Sequence, residues 1–103
     1  MKPVLIYATA ASREEALAIG RTLVEERLAA CINVLGPIES IYRWEGSIET
    51  SSEIAFLAKT REALADAVIA RIAELHSYDC PCAVALPIEH IHEPFSQWLE
   101  EQL

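Results

Sequence analysis

Residues 41–48 near the middle of the chain predict a long β-hairpin that turns at Gly46. Alternate side chains of a strand lie on the same face of a sheet, so Tyr42 and Trp44 share a face of the first strand. On the second strand, the alternation makes one face apolar through Phe56 and the other through Leu57. Small soluble monomers rarely expose apolar surface on this scale. The hairpin therefore favours a chain that self-associates.

Composition supports the same expectation. The chain has 103 residues, which fits a single domain spanning 1–103, and 52% of them are hydrophobic while 23% are charged. A domain this small has a high ratio of surface to volume and needs a polar coat. The apolar excess predicts that part of the surface is buried against other copies.

Several classes of function are disfavoured by composition. The net charge of −8 repels phosphate groups and argues against nucleic acid. No stretch approaches the ~20 apolar residues of a membrane span, so membrane insertion is not expected. The N-terminus runs directly into a strand rather than a secretion signal, and an odd count of three cysteines argues against a disulfide framework. These features predict a cytoplasmic protein.

Hydrophobic periodicity predicts an alternating series of strands and helices. Strands are expected at 2–9, 30–45, 48–60 and 83–88, with a kink in the second at Gly36-Pro37. Helices are expected from a Ser12 capping box to about residue 28, from a Thr60 cap through residue 75, and from Pro94 to 99. The order β-α-β-β-α-β indicates an α+β, ferredoxin-like sandwich with a long central hairpin and a short C-terminal helix. Two helices cover only one face of its sheet.

The chain also resembles a known family, the CutA divalent-ion tolerance proteins. The similarity runs in order through Ala30-Cys31-Ile32-Asn33, Tyr42-Arg43-Trp44-Glu45-Gly46, Leu57-Ala58-Lys59-Thr60, His76-Ser77-Tyr78-Asp79 and Leu86-Pro87-Ile88. The resemblance implies a homotrimer arranged like the PII signalling proteins, with strands pairing between subunits. It further implies a link to divalent-metal tolerance and copper binding, and it brings no catalytic reaction and no identified partner protein.

Two residues depart from the family's pattern after the second helix. Ser77 stands where the family usually has proline, and Cys82 stands where it has glutamate. Cys80 and Cys82 are two positions apart in an extended segment, so both sulfurs can face one side, and thiolates suit Cu(I). The candidate metal ligands are Cys31, His76, Asp79, Cys80 and Cys82. The alternative is that the cysteines are packing residues.

A second group of residues is expected in clefts between subunits. It comprises Tyr42, Trp44, Lys59, His76 and Tyr78. Lys59 ends an apolar strand and must pair with Glu49, Glu53 or His76, or else supply positive charge to an anionic ligand.

The predicted function is a non-enzymatic trimer linked to tolerance of copper or another divalent metal ion. The first alternative is a PII-like regulatory module that binds a small anion or a partner protein. The second is an enzyme that uses Lys59, His76 and Tyr78, although no nucleophile elbow or phosphate-binding loop is present.

Overall fold

Four antiparallel strands and three helices form the fold in the computed structural model, which describes residues 1–103. The elements are β1 Pro3–Ala10, α1 Arg13–Glu25, β2 Cys31–Trp44, β3 Ser47–Arg61, α2 Glu62–Leu75, β4 Ala83–Pro87 and α3 Glu93–Glu101. The predicted order of elements, and with it the α+β ferredoxin-like class, is confirmed. No helix is long and apolar enough to cross a membrane.

The sheet has the strand order β2-β3-β1-β4, so β2 and β4 form its two edges. Every neighbouring pair is antiparallel. Helices α1 and α2 pack on one face, where they complete a buried core with Ile6, Ala8, Phe56, Ala58, Ile19, Leu23, Val68 and Ile72. The opposite face is called the open face below. Its apolar residues on the edge strand β4, Val84 and Leu86, are 49% and 46% exposed.

The β2–β3 hairpin extends well beyond this sandwich. Its two strands pair from Cys31 opposite Lys59 to Trp44 opposite Ser47. The turn places Glu45 and Gly46 in the left-handed region, at φ 49° and 83°, which is the geometry of a tight hairpin turn. The molecule measures 45 × 25 × 23 Å with a radius of gyration of 14.2 Å. A compact chain of this length has a radius of gyration of about 13 Å, so the excess reflects the projecting hairpin.

A break in register between Val34 and Pro37 divides β2 into two parts. Residues directly opposite each other in an antiparallel pair share a face. Before the break Val34 lies opposite Phe56 and faces the helices, whereas after it Ile38 lies opposite Glu53 on the open face. One extra residue reverses which side chains face which side. The predicted kink at Gly36-Pro37 is therefore confirmed, and it turns Tyr42 and Trp44 toward the open face.

Helix α1 begins as predicted and ends earlier than predicted. The Ser12 hydroxyl accepts a hydrogen bond from the Glu15 amide at 3.1 Å, while the Glu15 carboxylate accepts from the amide of Ala11 at 3.0 Å. The expected end near residue 28 was wrong, because Arg27 adopts a left-handed φ of 57°. The amide of Leu28 then turns back to the carbonyl of Leu23 at 2.9 Å, which ends the helix.

Thr60 is not the cap of α2, so that prediction was wrong. The N-cap position is Arg61, and no side chain caps the helix there. Thr60 is fully buried, and its hydroxyl donates to the carbonyl of Leu28 at 2.7 Å. The residue instead ties the end of β3 to the connection between α1 and β2, because a buried hydroxyl needs a partner.

Helix α3 packs against β3 and brings Pro94 into its first turn, as predicted. Leu99 is fully buried apart from the main core cluster. On the same helix, Phe95 and Trp98 stack at 5.6 Å between ring centroids. The short helix thus buries one residue firmly and leaves Trp98 41% exposed.

We predict that Gly20→Ala destabilises the protein although alanine favours helices. A Cβ atom at position 20 would lie 2.8 Å from Cγ2 of Ile32, whose β-branched side chain has little freedom to move. Overpacking outweighs the gain in helix propensity, for a net loss of about 1 kcal/mol. Urea unfolding of Gly20→Ala and Ile32→Ala, separately and combined, measures this. In the Ile32→Ala background, Gly20→Ala should become stabilising. An equal change in unfolding free energy from Gly20→Ala in both backgrounds would contradict the packing explanation.

Candidate functional site

A cleft of about 640 Å³ lies on the open face, between the outer part of the hairpin, β1 and the segment that follows α2. It is lined by Tyr7, Thr9, Ser40, Ile41, Tyr42, Trp44, Glu53, Tyr78, Asp79, Cys80 and Cys82. Six of the predicted site residues line it: Tyr42, Trp44, Tyr78, Asp79, Cys80 and Cys82. The other three, Cys31, Lys59 and His76, are not part of its lining. The open-face cleft is therefore the candidate site.

Aromatic side chains from three parts of the chain line the open-face cleft. Tyr7 comes from β1, Tyr42 and Trp44 come from the hairpin beyond the register break, and Tyr78 follows α2. Ser51 donates a hydrogen bond of 3.3 Å to the hydroxyl of Tyr42. Tyr42 and Trp44 remain 42% and 55% exposed, so their rings are accessible. Tyr7 was not predicted as a site residue, because it lies in a strand whose apolar pattern predicts only a structural role.

His76 anchors the segment that forms one wall of the cleft. Its side chain is fully buried. Nδ1 accepts the amide N–H of Tyr78 at 3.1 Å, and Nε2 lies 2.7 Å from the carbonyl oxygen of Thr9. Because a carbonyl can only accept, Nε2 carries the proton and the ring is neutral. Both ring nitrogens are thus engaged, and neither has a free lone pair that could bind a metal ion, as the hypothesis of a His76 metal ligand requires.

Glu15 fixes the same segment from the other side. Its Oε2 accepts the amide N–H of Ser77 at 2.9 Å while Oε1 accepts that of Ala11. Partial burial raises the pKa of the Glu15 carboxyl. Hydrogen bonds from Ser77 and Ala11 together lower it by a larger amount, so the net pKa is below the ordinary value. The capping-box position was recognised in the sequence, but its second bond across to Ser77 was not.

Tyr78 is held by two contacts, one through its ring and one through its hydroxyl group. Its ring centroid lies 4.7 Å from that of His76, and its hydroxyl donates to Glu53 at 3.1 Å. Burial raises the pKa of the Tyr78 phenol, and the hydrogen bond to the Glu53 carboxylate raises it further. Glu53 was considered only as a partner of Lys59, and the structure places it in the cleft instead.

The five proposed metal ligands do not converge. Cys80 and Cys82 are exposed and line the open-face cleft beside Asp79, whereas Cys31 is half-buried on β2 opposite Lys59. No group of three or more histidine, cysteine or acidic side chains is arranged to hold a metal ion within the chain. Burial raises the pKa of the Cys82 thiol, and the nearby Glu53 raises it further. The five residues therefore do not fit a multi-donor divalent site in one chain, and only the Cys80–Cys82 pair remains available for a soft metal.

Lys59 has a different partner from those predicted. Its ammonium group donates to the amide oxygen of Asn33 on the neighbouring strand β2. The expectation of a bond to Glu49, Glu53 or His76 was wrong, because the register sets Cys31 directly opposite Lys59 and brings Asn33 diagonally within reach. Lys59 consequently adds no positive charge to the cleft lining.

The fold and the cleft together define a class: a ferredoxin-like subunit with a long projecting hairpin and an aromatic cleft on its open face. The profile of the family described as CutA1 divalent ion tolerance protein matches residues 4–102. The chain belongs to this family, as the resemblance in its sequence indicated. The family is named for ion tolerance rather than for a reaction.

Individual relatives agree over nearly the full chain. The divalent-cation tolerance protein CutA of Archaeoglobus fulgidus is 44% identical over 96 residues, which is 93% of each chain. The crystal structure of CutA from Xylella fastidiosa superposes with a TM-score of 0.95 at 37% identity, covering 99% of this chain and 98% of that one. The divalent cation tolerance protein of Thermus thermophilus superposes with a TM-score of 0.93 at 38% identity, covering 97% of each. The fold is therefore that of the family throughout.

We predict that Glu15→Gln weakens the acid dependence of stability. Because the pKa of Glu15 is lowered by folding, its contribution is fully present above the ordinary value of 4.5 and is lost as pH falls through the folded value. Urea midpoints measured across the acid range should fall less steeply in Glu15→Gln than in the parent. Glu14→Gln is the matched control, since Glu14 is an exposed neighbour in the same helical turn. If the urea midpoints of all three proteins fell equally with pH, the lowered pKa would not belong to Glu15.

Proposed function

We propose that this chain acts in divalent-cation tolerance as a non-enzymatic homotrimer. Each subunit of the trimer is a single domain that spans residues 1–103. The observation that carries the proposal is the apolar surface that the single chain leaves uncovered. At the hairpin, Ile41 is 73%, Trp44 55% and Ile48 62% exposed, and none of them has a packing role in the core of its own chain. Exposed apolar surface of this kind marks association sites. The homotrimer is the assembly that family membership suggests.

Two exposed apolar surfaces of the chain, one on the hairpin and one on the edge strand β4, support self-association. The hairpin offers Ile41, Trp44 and Ile48 at one end, and the edge strand β4 offers Val84 and Leu86 on the open face. The fully buried core of a protein interface is more apolar than the rest of the surface, and tryptophan is enriched there. Obligate interfaces commonly bury about 2,000–5,000 Å², and the projecting hairpin would contribute to such an interface if it lay across a neighbouring subunit.

The non-enzymatic role is supported by the way the chain uses its acid–base groups. The neutral ring of His76 binds the carbonyl of Thr9 and the amide of Tyr78, and the Lys59 ammonium group binds Asn33. The phenol of Tyr78 donates to Glu53. Each of these groups has a structural partner, and Lys59 lies outside the cleft that Tyr78 lines, so the trio proposed for an enzyme is not assembled there.

Copper is the metal we propose for this chain, taken as Cu(I) by Cys80 and Cys82. Both thiols are exposed on one cleft, and Cu(I) favours thiolate ligands in low coordination number. Asp79 lies beside them and adds negative charge. Cys31 and His76 are left out of this proposal, because one lies on another strand and the other has no free nitrogen.

The PII-like alternative remains a prediction. Its anionic ligand required positive charge from Lys59, and Lys59 lies outside the cleft lining, which instead carries Glu53 and Asp79. The cytoplasmic location also remains a prediction. The names of relatives place the plant proteins in the chloroplast and the Archaeoglobus fulgidus structure in the periplasm.

We predict a trimer mass by light scattering at micromolar concentration. Trp44→Asp should lower that mass, because a carboxylate at an apolar interface is costly to desolvate. Trp98→Asp is the matched control, since Trp98 is the only other tryptophan and lies on α3 rather than on the hairpin. In a reversible transition the parent should also unfold at a temperature that rises with protein concentration. A monomer mass for the parent would overturn the proposed assembly.

We predict that Cu(I) affinity, measured against a chromophoric competitor under reducing conditions, depends on Cys80 and Cys82. Cys80→Ser with Cys82→Ser should abolish tight binding, while Cys31→Ala should leave it unchanged. Because the pKa of Cys82 is raised, binding must displace a proton, and affinity should increase with pH by about tenfold per unit for each proton released. Unchanged affinity in the double variant would exclude this pair as the site.

A further inference from the structure

The α2–β4 connection, residues 77–82, is held to the rest of the chain by side chains rather than by backbone pairing. No backbone hydrogen bond outside the helices and strands involves these residues. Instead, the amide of Ser77 donates to the Glu15 carboxylate, and the amide of Tyr78 donates to Nδ1 of His76. Both acceptors are titratable side chains, so the position of the connection depends on their protonation states.

We propose that His76 and Glu15 form a proton-operated latch on the α2–β4 connection. In the neutral ring, Nδ1 accepts the amide of Tyr78, while the carboxylate of Glu15 lies 4.0 Å from the same nitrogen. A proton added to Nδ1 removes this acceptor and makes the nitrogen a donor. The ring then exchanges the Tyr78 amide for the Glu15 carboxylate, and the connection loses one of its anchors.

The groups that face the ring from the helices and from β1 favour this exchange. From α1, Glu15 has a pKa below its ordinary value and so stays ionised where histidine side chains gain a proton. From β1, the carbonyl of Thr9 accepts from Nε2 in both protonation states of His76. On α2, the guanidinium of Arg71 is paired with Glu26. No lysine or arginine bonds to His76 or Glu15, so the carboxylate is free to receive the charged ring.

The connection itself adds one more titratable group to the surroundings of the ring. The ring of Tyr78 lies 4.7 Å from that of His76, and its hydroxyl donates to Glu53 of β3. This third anchor does not involve either nitrogen of the histidine. Protonation of His76 therefore loosens the connection at the Tyr78 amide without releasing the phenol.

The latch lies inside one chain and does not depend on an exposed surface. The side chain of His76 is fully buried by its own subunit. Its partners Thr9, Glu15 and Tyr78 belong to that same subunit. Burial of the open face by other subunits adds to these contacts without replacing them, so the proposal concerns the assembled protein.

The latch controls the thiols of Cys80 and Cys82, because both residues belong to the α2–β4 connection. This consequence rests on the proposed function. Two thiols bind one ion tightly when their positions are fixed beforehand, since less freedom is then lost on binding. Protonation of His76 should therefore weaken Cu(I) binding, in addition to the effect of protons on the thiols themselves. Acid thus releases copper through a residue that is not a ligand.

The test follows the metal-free protein in its native assembly by NMR as the pH is lowered from about 8 to 5, where histidine side chains change charge. Long-range correlation of ring protons with ring nitrogens shows the tautomer and protonation of His76. The ring should begin as the Nε2–H tautomer. As it gains its second proton, the amide proton of Tyr78 should move upfield with the same midpoint. A ring that stays neutral, or a Tyr78 amide that does not follow the ring, would overturn the proposal.

Two variants test the two halves of the latch. His76→Gln keeps a donor and an acceptor but cannot titrate, so the Tyr78 amide transition should disappear. His90→Gln is the matched control, because His90 is exposed and lies outside the connection. Light scattering of each variant checks that the assembly is intact.

Glu15→Gln tests the latch independently of whether His76→Gln folds. Without the carboxylate, the midpoint of the Tyr78 amide transition should move down by about one pH unit or more, since an opposite charge at this distance favours the protonated ring. An unchanged midpoint would show that Glu15 does not receive the ring, and the proposal would fail.

Cu(I) titrations separate the latch from the copper proposal. Within the Tyr78 transition, the affinity of the parent should fall more steeply than that of His76→Gln, by up to about tenfold per pH unit. Equal slopes would overturn control of the thiols by the latch. Cys80→Ser with Cys82→Ser should keep the Tyr78 amide transition, and its loss would contradict the latch. Retained Cu(I) binding in that double variant contradicts only the copper site.

Discussion

One extra residue between Val34 and Pro37 determines the character of the whole open face. Strand β2 enters the sheet with Val34 against Phe56 in the core, and the register break reverses its faces before the hairpin leaves the sandwich. Without that reversal, Tyr42 and Trp44 would lie on the side of α1 and α2, and the open-face cleft would have no hairpin wall. The bulge therefore assigns the hairpin aromatics to the exposed side of the molecule.

A single buried histidine supports the other wall. His76 ends α2 and binds the carbonyl of Thr9 on β1, so the segment that follows cannot swing away from the sheet. Glu15 reaches the same segment from α1 through the amide of Ser77. Three elements that are distant in sequence thus meet at one short connection. His76 and Glu15 therefore have an architectural role, which is to hold this connection and orient Tyr78.

The order of elements was predictable from sequence because it depends on local periodicity, on a capping residue at Ser12 and on a turn residue at Gly46. Even the kink at Gly36-Pro37 was visible. The partners of individual polar groups were less predictable, because they depend on register and on long-range contacts. Lys59 meets Asn33 through the pairing of β2 with β3, and Thr60 meets Leu28 across 32 positions. The cleft was half predicted: its hairpin residues were named, whereas Tyr7 and Glu53 required the three-dimensional arrangement of β1 and β3.

The position of the sheet edges has a consequence for how copies of this chain can add to one another. With β2 at one edge and β4 at the other, the two free edges present different strands, so a contact between β2 of one copy and β4 of the next is heterologous, whereas a contact between two identical edges is two-fold. Repeated addition of the heterologous contact gives a ring if the rotation per copy closes, and an endless filament if it does not. The short β4 ends at Pro87, which lacks an amide hydrogen and so limits ladder growth along that edge. Closure of the ring is thus what separates a finite, soluble particle from a fibre.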